Sequence, residues 1–336
     1  MTNLTIGDMA GTFQTQRLTR QLKTDLTRLS TELTTGVREN TSSKVTGDYG
    51  PIAGIERTLK ALDAYKTATV EAASLTDTVQ LSLEYVQTTS QELAPALLQA
   101  SSSRNPTLLY NTAADAQQKF ASVVSQLNTR IADRTLMAGA ATDGPALADA
   151  DTILAELNLA TASAASAVDI SAAVDAWFDT PGGGFETLAY LGSTTDMGPI
   201  RVGDGEIVTQ PVRADDQALR DVMKSYAKVA LIAEGRLPGD SDSQADLLRI
   251  AGEGLMTADG PLTSLRAEIG AQQARIEDIS VQNTAERSAL EIARNDLIGA
   301  DPYDTATELE AVYGQIETLY TITARIAQLN FTDYMR

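Results

Sequence analysis

The sequence predicts a mainly α-helical protein, an elongated helical bundle with coiled-coil terminal helices and a small α/β or β-containing central insert. Three observations lead there. Large apolar residues recur at steps of 3 and 4 near both ends of the chain, the spacing that places them on one face of a helix. Gly and Pro gather instead between about Gly139 and Pro211, where Ala-rich stretches are interrupted by Asp143-Gly144-Pro145 and Thr180-Pro-Gly-Gly-Gly184. Within that stretch Asp204-Gly205 stands between Ile200-Arg-Val202 and Glu206-Ile-Val208. This is a hairpin signal, and a type I′ turn there needs positive φ at both central residues.

The first helix rests on Leu18, Leu22, Leu26, Leu29 and Leu33, at steps of 4, 4, 3 and 4 with polar residues between them. It should stop near Gly36, because the segment from there to Pro51 is polar and punctuated by glycine. A long helix is expected over about 52–100, with Pro95 kinking or ending it, since proline lacks the N–H and crowds the preceding turn. After an Asn105-Pro106 turn, a further helix over about 107–137 has Leu108, Leu109, Phe120, Val123, Val124, Leu127 and Ile131 to bury.

Helices return after the insert, over about 216–234 and again over 243–256. From Pro261 a separate run follows, in which Leu262, Leu265, Ile269, Gln272, Ile276, Ile279, Asn283, Glu286, Leu290, Ala293 and Leu297 fall at alternating steps of 3 and 4. That is a coiled-coil-like seam. Its Gln, Asn and Glu suit packing beside other helices better than an isolated two-stranded coil. Past a break at Gly299-Ala-Asp-Pro302, the stripe resumes with Leu309, Val312, Ile316, Leu319, Thr323, Ile326 and Asn330. Neither end stripe can be covered by its own helix, so each must pack on the other, on neighbours or on a partner.

With 336 residues and 43% hydrophobic content, the chain can bury one large core or two to three modest ones. It has no Cys and no His, which removes disulfides, thiolate nucleophiles, zinc fingers, Ser-His-Asp triads and imidazole-ligated haem. A formal charge of -19 disfavours nucleic acid and anionic membranes as partners. The charge is uneven: residues 1–66 carry 9 basic and 7 acidic side chains, whereas 133–259 carry 8 and 21. The first ten residues lack a basic segment followed by an apolar one, so no cleaved signal peptide is expected. No apolar run approaches the ~20 residues of a membrane span. Absence of Cys also suits a chain that leaves the cell unfolded and must not form stray disulfides.

Several short features have plainer readings than the chemistry they suggest. Asp240-Ser-Asp-Ser-Gln-Ala-Asp246 has the alternating acids of a Ca²⁺ loop, but Ala245 and Ala251 stand where that loop needs Gly and Glu; a helix start with an acidic or Ser cap fits better. Thr180-Pro-Gly-Gly-Gly184-Phe has no following Lys-Ser/Thr, so it reads as a turn and not a phosphate loop. Acidic pairs such as Asp215-Asp216 and Glu277-Asp278 are expected by chance among 45 acidic residues. Neither a catalytic centre nor a metal site or cofactor is expected. Trp177-Phe178 is the aromatic spot of the insert and reads as its small core.

At both ends the residues resemble bacterial flagellin-type proteins. Leu29-Ser-Thr-Glu-Leu-Thr-Thr-Gly36-Val-Arg38-Glu-Asn40, followed by Thr46-Gly-Asp48-Tyr-Gly-Pro51-Ile-Ala-Gly54, is similar to that family's N-terminal signature, although Tyr49 replaces its second Asp and a Gly precedes Pro51. Ala306-Thr-Glu308-Leu309, Val312-Tyr313, Leu319 and Thr323-Ala-Arg325-Ile-Ala-Gln-Leu329 resemble its C-terminal helix. Arg134-Thr-Leu-Met-Ala-Gly139 and the ending Asn330-Phe-Thr-Asp-Tyr-Met-Arg336 are closer to hook-associated members of the family than to filament flagellin.

The resemblance covers roughly 1–140 and 215–336 and implies a fold, a location and partners. It implies an N-terminal assembly helix over 1–40, a helical domain over 41–140 and 214–300, an outward-facing insert over 141–213 and a C-terminal assembly helix over 301–336. The expected function is structural and not enzymatic: an adaptor at the hook-filament junction of the bacterial flagellum, with filament flagellin as the alternative and another coiled-coil structural or signalling protein as a remoter one. Expected partners are copies of the chain itself, a neighbouring hook-associated protein, flagellin, and a cytoplasmic export chaperone on the C-terminal helix. The expected route is secretion through the flagellar type III apparatus to the cell exterior. The expected assembly residues are the leucines of 18–33 and Leu309, Val312, Ile316, Leu319 and Ile326. Gly36, Arg38, Asn40, Asp48, Pro51, Glu308 and Arg325 carry the family signature.

Overall fold

A computed structural model describes residues 6–39 and 48–334. The elements in chain order are α1 (Ile6–Thr35), α2 (Gly50–Ser103), α3 (Pro106–Leu127), β1 (Arg130–Ile131), β2 (Arg134–Thr135), α4 (Ala150–Ala160), α5 (Ala167–Asp179), a π-helical turn (Phe185–Ala189), β3 (Ile200–Arg201), β4 (Ile207–Val208), α6 (Gln217–Ala233), α7 (Ser241–Ile298) and α8 (Pro302–Tyr334). The chain divides into two units, 1–62 with 284–336, and 63–283. The divisions fall inside α2 and α7.

The 63–283 unit holds the main core. Helices α3 and α6 pack closely on each other, and α6 is buried along nearly its whole length, from Leu219 through Met223 and Tyr226 to Ile232. Phe120, Val123 and Leu127 supply the α3 face. The phenol of Tyr226 is fully buried beside the Ser90 hydroxyl at 3.3 Å, and burial pushes its pKa up. Helices α4 and α5 and the π-helical turn belong to this same core. Their aromatic focus is Phe178 stacked on Phe185 at 5.3 Å with Trp177 edge-on to Phe178, so the Trp-Phe pair is a packing centre. Gly184 makes that possible, because a Cβ there would sit 1.8 Å from Trp177 Nε1.

Three sequence expectations change and another narrows. Of the two outcomes expected at Pro95, ending the helix is ruled out, since α2 runs through it to Ser103. Pro261 does not begin a new helix either, since α7 is continuous from Ser241 to Ile298. An interior proline costs about 3 kcal/mol, while each fully buried leucine returns about 1.5–3 kcal/mol, and Leu93 and Leu97 flank Pro95 as Leu262 and Leu265 follow Pro261, all buried. Packing therefore outweighs the local rule.

The third helix ends at Leu127, ten residues before the expected Met137. The Asn128 side chain bonds both ways with Leu147, Nδ2 donating to its carbonyl at 2.9 Å and Oδ1 accepting its N–H at 2.8 Å. The chain then turns through Ala132 and Asp133, both at positive φ, into the β1-β2 hairpin. Ile131 consequently lies on a strand. The expected β3-β4 hairpin forms with Arg201 opposite Ile207, but Val202 N–H donates to the Glu206 carbonyl around a three-residue connection. Of the two central residues only Gly205 has positive φ, so the type I′ turn is not used.

Candidate assembly site

The helices carrying the end stripes, α1 and α8, pack on each other within the 1–62/284–336 unit. Their cover is partial. Leu22 and Leu29 are buried, Leu26 is half-buried, and Leu18 and Leu33 remain 46% and 40% exposed. On α8, Leu309, Val312, Ile316 and Leu319 are all half-buried; the side chain of Ile326 lies outside the described residues. Tyr313, Tyr320 and Ile322 are about half exposed. Two fully buried leucines supply roughly 3–6 kcal/mol of burial, little against the cost of about 1–2 kcal/mol for each backbone residue ordered.

Between the two helices runs a groove of about 420 Å³, lined by Leu18, Leu22, Ala311, Gly314, Leu319 and Ile322 among others. Small residues at 311, 314 and 318 share one helical face by their 3 and 4 spacing, and they open the space that larger side chains would fill.

A backbone clamp anchors α1 at its end. Gly36 takes φ +68, the left-handed conformation that closes a helix and suits glycine, and its N–H donates to the Glu32 carbonyl at 2.8 Å. Its carbonyl then accepts from Ala300 N–H at 2.9 Å, and Arg38 N–H donates to the Ile298 carbonyl at 2.9 Å. Val37 and Gly299 thus form an antiparallel bridge. The end of α1 is tied to the α7-α8 connection.

Side chains reinforce this clamp. The buried Glu32 carboxylate accepts from Arg28 Nη1 at 3.1 Å and from Glu39 N–H at 3.0 Å. Burial pulls the Arg28 pKa down, yet the hydrogen bond and charge of Glu32, with Asp25 and Glu308, raise it overall. Glu308 is therefore an electrostatic partner of α1 across the helix pair. Asp301 caps α8, its Oδ1 accepting from Tyr303 N–H at 2.8 Å, with Pro302 in the first turn where a missing N–H costs nothing.

The remaining signature residues are placed separately. Asp48 Oδ1 accepts from Gly50 N–H at 2.9 Å, an Asx turn ahead of α2, and Pro51 sits in that helix's first turn. Arg325 is exposed on α8. Asn40 lies outside the described residues. The structure thus brings Gly36 and Arg38 together at the clamp and places Glu308 where its charge acts on Arg28 of α1, whereas Asp48 and Pro51 start α2. Glu32 is not marked out by the sequence: it is one of three acids on α1, with Asp8 and Asp25, and what marks it is its burial. No described helix is long and apolar enough to cross a membrane.

Residues 254–335 match the family described as the bacterial flagellin C-terminal helical region. No curated protein sequence matches the chain. Among solved structures, the crystal structure of Bacillus cereus FlgL is similar at 14% identity with a TM-score of 0.52, covering 72% of this chain and 100% of that one. A putative flagellar hook-associated protein from Vibrio parahaemolyticus is similar at 13% identity with a TM-score of 0.49, covering 75% of this chain and 99% of that one.

Proposed function

We propose that this chain, whose residues 254–335 make up a flagellin-type C-terminal helical region, is a structural component of the bacterial flagellum, the adaptor that joins hook to filament. Its work is binding, without chemistry. The observation that carries the reading is the half-covered α1-α8 pair, whose open groove beside Leu18 and Ile322 is an apolar surface that gains cover only when further helices pack on it. Likeness in fold to a FlgL supports the junction over the filament itself.

On this reading the expected assembly leucines, with Val312, Ile316 and Ile326, meet equivalent helices of further copies and of the adjoining hook-associated protein and flagellin. The acidic insert over 141–213 faces outward. The chain reaches the exterior unfolded through the flagellar type III apparatus, escorted by a cytoplasmic chaperone on α8.

Deleting the gene in its host tests the reading. The expected phenotype is intact hooks without filaments, with flagellin lost to the medium. Normal filaments on the deletion strain would overturn it, and growth of long filaments from the purified protein would move the assignment to filament flagellin.

A further inference from the structure

Helices α2 and α7 enclose, within the 63–283 unit, a second opening of about 230 Å³ whose lining includes Gln91, Ala94, Pro95, Leu255, Met256 and Asp259. Its chemistry is one-sided. Asp259 Oδ1 accepts from Gln87 Nε2 at 2.9 Å and from Gln91 Nε2 at 2.8 Å, so the carboxylate is held in place by two neutral donors. Gln87 is itself fixed, its Oε1 accepting from Arg266 Nη1 at 2.6 Å and its Nε2 donating also to Thr263 Oγ1 at 2.8 Å. Arg266 spends its other contact on Glu84. Among the described residues no cation pairs with Asp259.

Pro95 adds a second acceptor. Position 95 has no N–H to give to the Gln91 carbonyl one turn earlier, and that residue lines the same opening. Around these acceptors stand apolar walls: Ala94 and Leu255 are buried, and Met256 is 62% exposed. A fixed carboxylate and a carbonyl beside an apolar wall suit a long side chain with a cationic head, whose methylenes lie on the wall while the head meets the acceptors.

The chain carries such side chains without partners. Arg57 and Lys60 are exposed one turn apart on α2, on one helix face by their spacing of three, and among the described residues neither makes an ion pair. Arg17, Arg20 and Lys23 are further exposed cations, but they accompany the leucine stripe of α1, whose neighbours on the proposed reading are other α1 and α8 helices. Lys66, Arg130 and Arg325 are exposed without an ion pair among the described residues as well, but each stands alone, whereas Arg57 and Lys60 offer two cations on one helix face to the two acceptors; the α2 pair is therefore the better match.

The geometry points to the Asp259 pocket as a socket that receives Arg57 or Lys60 of a second copy of this chain, a lateral contact separate from the α1-α8 groove. The inference rests on the proposed function, because it needs copies side by side.

The absence of Cys allows a clean test. Flagella are isolated from cells whose only copy of the gene carries Met256→Cys with Lys60→Cys, or Met256→Cys with Arg57→Cys, and are treated with a short bismaleimide. One of the two double variants should give crosslinked species at twice the chain mass and higher multiples, because each copy carries both socket and occupant, and none of the three single-cysteine variants should. Adding Asp259→Asn to the crosslinking variant keeps an oxygen for the two glutamines, removes the charge, and should lower dimer yield by about fivefold, the effect of losing one partly screened ion pair. Protein present in the particles without dimer in either double variant overturns the socket and leaves the proposed function standing. Dimer from Met256→Cys alone, or a crosslinked product whose mass is not a multiple of the chain's, also overturns it, since the occupant is then the same face of a copy or a different protein. Protein absent from otherwise normal flagella overturns both readings.

Discussion

Replacing Gly36 by Ala separates backbone conformation from packing, because a Cβ built there meets nothing within 4 Å. Only the φ of +68 is unfavourable, and an L-residue held in that left-handed region costs about 1–2 kcal/mol. Alanine's lower entropy in the unfolded chain does not offset this where φ is positive. The loss falls on the unit that Gly36 closes, through its 2.8 Å bond to Glu32 and its 2.9 Å bond from Ala300. An equilibrium constant should therefore move by about 5- to 30-fold. Hydrogen exchange on dilute protein is the assay: amides of 16–33 and 308–325 should exchange faster by that factor, while those of α3 and α6 are unchanged. Gly36→Asn should fall between, since Asn tolerates the left-handed region. Unchanged exchange in α1 and α8, or equal acceleration in α3 and α6, would refute the clamp.

Removing residues 309–336 should leave a folded, largely helical protein by circular dichroism, because the core around α3 and α6 lies within 63–283; assembly into flagella, scored by immunoblot of isolated particles, should be lost. A pH dependence is expected at the Lys224 pair, where Nζ lies 2.7 Å from both Asp179 and Asp221. Burial works against the charge of Asp179, but its hydrogen bonds from Lys224 and Gln217 win and lower its pKa below 3.8; Lys224 is likewise opposed by burial yet raised above 10.5 by its two carboxylates. A lowered carboxylate stabilises above its unfolded value and loses that as pH falls through the folded one, while a raised amine stabilises below its unfolded value and loses that as pH rises. Urea midpoints followed by Trp177 fluorescence should show Asp179→Asn less stable than the parent at neutral pH, with the difference shrinking as pH falls below the unfolded value of 3.8 and vanishing below the still lower folded value; a gap that persists below both would assign the effect to packing.

Helix positions were legible because burial enforces the 3 and 4 spacing wherever a helix has one dry face. Helix limits were not. Pro95 and Pro261 mislead because their local cost is smaller than the burial of the leucines beside them. The end of α3 misleads for the opposite reason: apolar spacing continues through Ile131, while the Asn128-Leu147 amide pair turns the chain by a contact nineteen residues away that no local pattern contains. At the candidate site the stripes were readable as apolar faces, but the split into buried Leu22 and Leu29 and open Leu18 and Leu33 depends on where α8 crosses. Gly36 was legible as a helix stop. Its second role, accepting from Ala300, joins residues far apart in sequence and was not.

The charge distribution constrains which surfaces copies can share. Residues 133–259 carry 13 more acidic than basic side chains, whereas 1–66 carry two more basic than acidic. Bringing two acidic segments into contact costs like-charge repulsion that salt screens only beyond about 8 Å at physiological ionic strength, while the near-neutral segment has no such barrier. Contacts between copies are therefore favoured where a 1–66 surface meets another such surface, as α1 would in the groove, or where it meets an acidic one. Asp259 belongs to the acidic segment, and Arg57 and Lys60 to the basic one. The second kind of contact weakens with added salt and the apolar first kind does not, so salt that lowers the yield of crosslinking at Met256 should leave the protein attached through α1 and α8.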